Sequence, residues 1–431
     1  MVVSRKRMIG SFFAKAKLAL LDRTLRNRIF FVLGALVLFR LLATIPIPGI
    51  DLARLEEFFA NNQFLGLLNI FSGGGLSNLS IVMLGVGPYI TGSIIMQLLT
   101  IMSPRLKALY QEEGEMGRKR FAQYSRLLTV PLATIQAFAF LILLERQGIV
   151  PALDLFSFAT NVLVVAAGSV FLMWVGELIT EFGIGNGVSL IIFAGIVAAL
   201  PSTLSQLAFS FDATQVPLYL GFTVAALAII AGVVLVTEAE RPIPVTYAKR
   251  VRGMKVYGGI STYLPLRVNQ AGVIPIIFAL SILLFPQMIL NFLAQTGGPL
   301  TYKISSALLA VLANGWVYAG LYFVLVFLFT YFYTAVTFDP DSIANNLQKS
   351  GAFVPGVRPG VTTSQYLAKI ITRITLVGAV FLGAIAVLPL AVQAVTGIAA
   401  LAIGGTALLI VISVALDFVR RVDAQLSLRE Y

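Results

Sequence analysis

Apolar residues along this chain gather into runs of about 20, separated by charged or Gly/Pro-bearing breaks, with little two-residue alternation between them. Ten such runs can be drawn, at 29–45, 79–102, 121–144, 158–179, 188–208, 217–237, 271–293, 308–335, 366–390 and 397–418. A helix of about 20 apolar residues crosses roughly 30 Å of hydrocarbon, so each run predicts a membrane-spanning helix. The fifth is the weakest of them, because Pro201 interrupts it and its clean apolar core is short. Composition supports this class: 58% of the residues are hydrophobic and only 12% charged, too few charges to cover a soluble surface of this size. The expectation is an all-α polytopic membrane protein.

Basic residues set the direction of threading. With both termini on the cytoplasmic side, the tail through Arg28 carries eight Lys/Arg, and the 2/3 loop with Arg126 at the start of the third run carries six. The 6/7 loop carries six, the segment after the eighth run through Arg373 four, and the C-terminal tail three. That puts 27 of the 31 basic residues on one side; Arg54, Arg146 and Lys303 lie on the other, and Arg40 lies within the first run. The asymmetry also explains the +12 formal charge without any appeal to nucleic acid. No cleavable signal pattern precedes the first run, so that run is expected to act as its own insertion signal.

Five segments depart from plain spans. Phe58 to Asn78 is too short in apolar residues to cross and too apolar for an ordinary loop. Phe64, Leu67, Leu68 and Phe71 recur at helical spacing in it, followed by Gly73, Gly74 and Gly75 as a hinge. It reads either as an interfacial helix or as a short re-entrant element able to move. The second and seventh runs share a Gly-Val-x-Pro sequence, at Gly85–Pro88 and Gly272–Pro275. Each sits in the second helix of a five-helix half. Halves with an odd number of spans have opposite orientations, and Gly/Pro breaks at corresponding positions point to a pathway between them. In the 238–269 loop, β-rich stretches flank Arg250, Arg252, Gly253 and Lys255, which predicts a hairpin with a basic tip. In the 336–365 loop, Asp339-Pro340 predicts a helix start, a short helix reaching Lys349 and a stop at Gly351. A stiff Pro/Gly loop presenting Arg358 follows. These loops serve either as orientation charge or as a docking platform; their length favours docking.

Candidate chemistry is sparse. The chain has no Cys and no His, which removes thiolates, disulfides, imidazole bases and the commonest metal ligands. It has no Walker phosphate loop. The spans are nearly bare of charge: Lys369 and Arg373 open the ninth, and Glu145, Glu177, Glu238 and Asp417 lie at ends. No cofactor, metal or catalytic residue is expected, and any energy would come from a partner or the membrane potential.

Several stretches resemble the SecY family. They are LSIVMLGVGPYITGSIIMQLL (Leu79–Leu99), WVGELITEFGIGNGVSLII (Trp174–Ile192), AGVIPIIFALSILLFP (Ala271–Pro286), GAFVPGVRPG (Gly351–Gly360) and GGTALLIVISVALD (Gly404–Asp417). The resemblance implies ten transmembrane helices in two inverted, pseudo-symmetric five-helix halves around a central hourglass pore. Matched residue by residue, it implies a hydrophobic ring of Val86, Ile90, Ile192, Ile277 and Ile410, with Val86 where isoleucine is frequent. It implies a plug in 58–78, with Gly73–Gly75 as its return hinge, and a lateral gate including Ser281 and Phe285. It also implies that Lys249, Arg250, Arg252 and Arg358 dock the ribosome or the SecA motor ATPase. The implied partners are the small SecE and SecG membrane subunits, SecA, the translating ribosome, signal-sequence-bearing polypeptides and the lipid bilayer. The implied location is the cell (inner) membrane.

The chain then divides into a cytoplasmic tail (1–28), an N-terminal half (29–210), a C-terminal half (211–418) and a C-terminal tail (419–431). Two rival functions remain in view: a secondary transporter built from inverted repeats, and a non-transporting scaffold or insertase component. The bare membrane interior and the large basic loops argue against the transporter.

Overall fold

The first apolar run folds as α1 (Arg23–Leu42), which starts earlier than the hydrophobic pattern because Asp22 caps it. The Asp22 carboxylate accepts from the amides of Thr24 at 2.8 Å and Leu25 at 3.1 Å, satisfying donors that the first helical turn leaves open. The structure is a computed structural model. It describes residues 21–48, 72, 74–76, 78–111, 113–146, 148–151, 153–209, 216–247, 250–252, 255–257, 261–270, 272–296, 298–396 and 399–427. These residues are mostly helical, and each of the ten apolar runs carries a helix. Among the described residues, four helical stretches, Gly114–Arg146, Leu155–Phe182, Gly315–Lys349 and Val361–Leu388, are long and apolar enough to cross a membrane by length and composition.

Two compact units divide the chain. The first takes the described residues of Met1–Asp212, Ser281–Val311 and Val414–Tyr431; the second takes those of Ala213–Leu280 and Leu312–Ser413. Within the first, α2 (Gly87–Met102), α3 (Pro104–Gln111), α4 (Gly114–Arg146), α5 (Leu155–Phe182) and α6 (Gly187–Phe209) follow in order. Small residues set their spacing. A Cβ on Gly92 of α2 would meet the Ser125 carbonyl of α4 at 3.2 Å, and one on Gly187 of α6 would sit 1.9 Å from the Gly176 carbonyl of α5. Backbones approach this closely in membrane helices only where side chains vanish. At one end of this unit a core of Ile47, Leu76, Leu79, Met83, Phe140, Leu141, Leu144 and Val165 packs α4, α5 and the 76–84 turns together.

The second unit contains α7 (Val216–Glu238), then β1 (Glu240–Tyr247), β2 (Arg250–Arg252), β3 (Lys255–Tyr257) and β4 (Ser261–Arg267). Next come α8 (Ile274–Thr296), α9 (Pro299–Ala313), α10 (Gly315–Thr337), α11 (Pro340–Lys349), β5 (Ala352–Phe353), α12 (Val361–Thr396) and α13 (Ala399–Ser427). The unit boundaries fall inside α8, after Leu280, inside α9, after Val311, and inside α13, after Ser413, so most of α8 and nearly all of α9 belong to the first unit. Helices α10 and α12 lie side by side, Gly383 admitting the Phe323 ring within 2.8 Å of where a Cβ would stand.

Two expectations from the pattern need correction, while the fifth run forms its helix across Pro201 as drawn. The run 79–102 is helical only from Gly87; residues 81–86 are turns, with Leu79 at φ +41° and Gly85 at φ +57°. The run 308–335 is two helices, broken where Asn314 accepts from the Trp316 amide and caps α10. Pro201 does not end the fifth run, since α6 continues through it to Phe209. A proline removes one hydrogen bond and bends a helix, but flanking packing can carry the helix past it.

Candidate functional site

The two Gly-Val-x-Pro sequences adopt the same local structure. Gly85 takes φ +57° and Gly272 φ +61°, conformations that disfavour any residue with a Cβ. Each is followed at once by a helix with proline in its first turn, Pro88 in α2 and Pro275 in α8. Proline fits there because its missing N–H would have had no helical acceptor. The first helical bonds match too: the Ile90 amide donates to Val86 O at 3.1 Å, and the Ile277 amide to Val273 O at 3.2 Å. Even the glycine carbonyls are satisfied alike, Gly85 O by the Ser169 hydroxyl at 2.7 Å and Gly272 O by the Asn269 side-chain amide at 3.2 Å. The motif therefore sets Ile90 and Ile277 at a fixed offset from a fixed helix start.

Val86, Ile90, Ile192, Ile277 and Ile410 are all buried, none above 6% exposed. Elsewhere large aliphatics such as Leu163, Val224 and Leu328 are more than half exposed, as lipid-facing residues are. The first unit holds Val86, Ile90 and Ile192, and the second holds Ile277 and Ile410. Ser281 lies half-buried midway along α8, and Phe285 lies one turn further on the same helix.

Phe64, Leu67, Leu68, Phe71 and Gly73 lie outside the described residues. The return from that segment is well defined. Its two flanks are tied together: Ile47 N donates to Leu79 O and Ile81 N to Ile45 O, both at 3.0 Å, and the Asn78 side chain donates to Ala43 O at 3.3 Å. Gly74 needs its φ of +84°, and a Cβ there would reach within 3.2 Å of the Arg40 guanidinium. Gly75 has no room at all, with Ser80 Oγ at 2.9 Å and Val82 O at 3.0 Å from a Cβ position. These two glycines are demanded by a packed turn, a stricter role than that of a loose hinge.

The basic loops form one platform. Strands β1 and β4 pair antiparallel, Ile243 opposite Leu264 and Val245 opposite Thr262. Strand β5, from the loop after α10, adds to the other edge of β1 with Thr246 opposite Phe353, giving the order β4-β1-β5. Ile243, Val245, Leu266, Ala352, Val354, Leu367, Ile370 and Ile371 are buried beneath it. Beyond the sheet β2 and β3 continue the hairpin, with Arg252 opposite Lys255; Arg250 and Arg252 belong to β2, and Lys249 lies outside the described residues. The Asp339 carboxylate caps α11 by accepting from Asp341 N, and α11 ends before Gly351 at φ +71° as its sequence predicts. Gly356 at φ +82° and Gly360 at φ +97° shape the loop that leaves Arg358 exposed.

One ion pair was invisible in the sequence. Arg126 of α4 pairs with Glu177 of α5, whose side chain is mostly buried. The partners are far apart in the chain and follow no helical spacing; only the packing of α4 on α5 joins them. Among the described residues, no group of His, Cys, Asp or Glu is arranged to hold a metal ion.

Known proteins resemble this chain along most of its length. The SecY family profile matches residues 80–419. The protein translocase subunit SecY of Mycobacterium leprae is 43% identical over 428 residues, covering 94% of this chain and 96% of its own. The subunit of the same name from Thermotoga maritima is 42% identical over 427 residues, covering 94% of each. Among solved structures, one described as that of a protein conducting channel has a TM-score of 0.66 at 20% identity, covering 92% of this chain and 91% of its own. Sec61 in the canine ribosome-channel complex from the endoplasmic reticulum has a TM-score of 0.62 at 18% identity, with coverage of 92% and 91%. At those identities the structural likeness speaks for the fold alone, while the sequence matches carry the family. The chain belongs to the SecY family.

Proposed function

We propose that the chain is the channel-forming subunit of a protein translocase, conducting unfolded polypeptides across a membrane and releasing apolar segments sideways into lipid. One observation carries the mechanism. Five aliphatic residues are buried, and two of them, Ile90 and Ile277, stand at matched helix starts set by the left-handed turns of Gly85 and Gly272. Acting together as a constriction, Val86, Ile90, Ile192, Ile277 and Ile410 repel water when empty and so block ions. Flexible aliphatic side chains also close around varied passengers without binding any of them tightly. Signal sequences are apolar helices, so they gain free energy by leaving a wet path for hydrocarbon through a gap lined by α8, where Ser281 and Phe285 lie. The 58–78 segment serves as the plug, fastened at the Gly74–Gly75 turn.

In this reading both termini and the sheet platform face the cytoplasm, where SecA or a translating ribosome engages Lys249, Arg250, Arg252 and Arg358. Arginine suits the task because its planar fork grips carboxylate or phosphate with two hydrogen bonds. SecE and SecG complete the complex in the cell membrane. Reconstitution tests the whole proposal. Purified complex in proteoliposomes, supplied with SecA, ATP and a signal-bearing precursor, should carry that precursor to protease-protected space. Saturable passage of a small solute with no polypeptide transport would instead make the chain a secondary transporter.

A further inference from the structure

The exposed arginine of the α11–α12 loop has its backbone carbonyl held by a buried side chain of α12. Arg358 sits in Val354-Pro355-Gly356-Val357-Arg358-Pro359-Gly360, and among the described residues its guanidinium makes no ion pair. Its side chain therefore does nothing to hold the loop in shape. The backbone does. Val357 N donates to Val354 O at 3.1 Å, closing the first half of the loop. The second half is closed from α12: the Thr363 hydroxyl reaches back five residues and donates to Arg358 O at 2.8 Å, and Ser364 N donates to Gly360 O at 3.1 Å. Thr363 is only 2% exposed, so this hydroxyl is committed inside the protein. The Ser364 hydroxyl in turn donates to the Asp341 carboxylate at the start of α11, so both helices hold the turn.

We infer that Thr363 is a positioning residue for docking at Arg358, its buried hydroxyl fixing the Arg358 carbonyl and hence the direction in which the guanidinium is presented. The inference rests on the docking role proposed above. A long, exposed arginine pays most of its binding cost in lost freedom, and a backbone already fixed reduces what remains to be lost. Valine at 363 keeps the size and branching of threonine but leaves the Arg358 carbonyl without its donor. The loop can then turn while the platform core beneath it stays packed.

The test uses the complete complex in proteoliposomes, with SecA titrated against ATPase stimulation and precursor transport. T363V should raise the half-saturating SecA concentration on the order of three- to tenfold, the scale of one lost hydrogen bond, with the saturated rate little changed. T363S keeps the hydroxyl and should remain within about twofold of the parent. In an R358E background T363V should add nothing, because its effect passes through that arginine. Additive losses in R358E, or an unaltered titration for T363V beside an impaired R358E, overturn the inference. A normal titration for R358E itself would instead overturn the docking role on which the inference rests. If T363V fails to assemble, G360A probes the same turn from its other side, where φ is +97°. It should reproduce the weakened titration, and a normal titration for it also overturns the inference.

Discussion

Tyr322 shows how far a single buried atom can be read. Tyr322 is 1% exposed within α10, and among the described residues its hydroxyl has no hydrogen-bond partner. A buried hydroxyl without a partner costs free energy, so removing it should cost nothing. Y322F is expected to leave thermal stability in lipid nanodiscs unchanged or to raise it by about 1 kcal/mol. A clear loss would mean that the hydroxyl has a role the packing does not reveal. At the proposed constriction the opposite substitution matters. I277N or I410N introduces an amide where only aliphatic surface excluded water, and should raise ion conductance of resting complexes in planar bilayers. Conductance equal to the parent would remove those residues from the seal. These sites were only partly legible in sequence. An isoleucine within an apolar helix carries no signal of its own, so Ile192 and Ile410 rested on family resemblance. Ile90 and Ile277 were better marked, because a glycine and a proline stand at fixed distances before each and both are demanded by backbone geometry.

Helices and their junctions were legible where the chain changes chemistry and illegible where it does not. The α11 start at Asp339-Pro340 and its stop at Gly351 follow from capping side chains and a left-handed glycine, so they could be read locally. The break at Asn314 was missed because apolar residues continue on both sides of it, and a single capping amide hardly disturbs a hydropathy pattern. The late start of α2 was missed for a similar reason: residues 79–86 are as apolar as a helix but spend themselves in turns around Gly85. Contacts between helices follow glycines that composition alone does not single out. G187A tests one of them. Its methyl would need to occupy space 1.9 Å from the Gly176 carbonyl, a backbone atom that cannot swing aside. The variant should lose about 2 kcal/mol or more through displacement of α6 from α5, measurable as a lowered unfolding midpoint in detergent titration.

Across the whole molecule the charge asymmetry gave the clearest message, and the platform gave the least expected one. The basic residues of both large loops were visible as separate clusters, but nothing in either predicted that β5 would complete a sheet begun by β1 and β4. Strand pairing between segments so far apart depends on the helices that bring them together. Docking at this platform is expected to be strongly electrostatic. R358E should weaken SecA-driven transport while the complex still assembles, and binding of the parent should fall as salt rises from about 50 to 200 mM, because exposed charges are screened over roughly 10 Å. Salt-independent binding would assign the contact to apolar surface instead.

The shared sheet has a mechanical corollary. A protein that seizes the Arg358 loop also strains β5, and through the rungs of β1 it strains β4. From Arg267 the backbone runs at once through Val268, bonded to Ala239, and Asn269, bonded to Gly272, into the first turn of α8. In the channel reading proposed above, torque from an outside grip arrives at the start of α8 and so at Ile277, and a cargo engine would loosen the proposed constriction by tugging on a handle far along the chain from it.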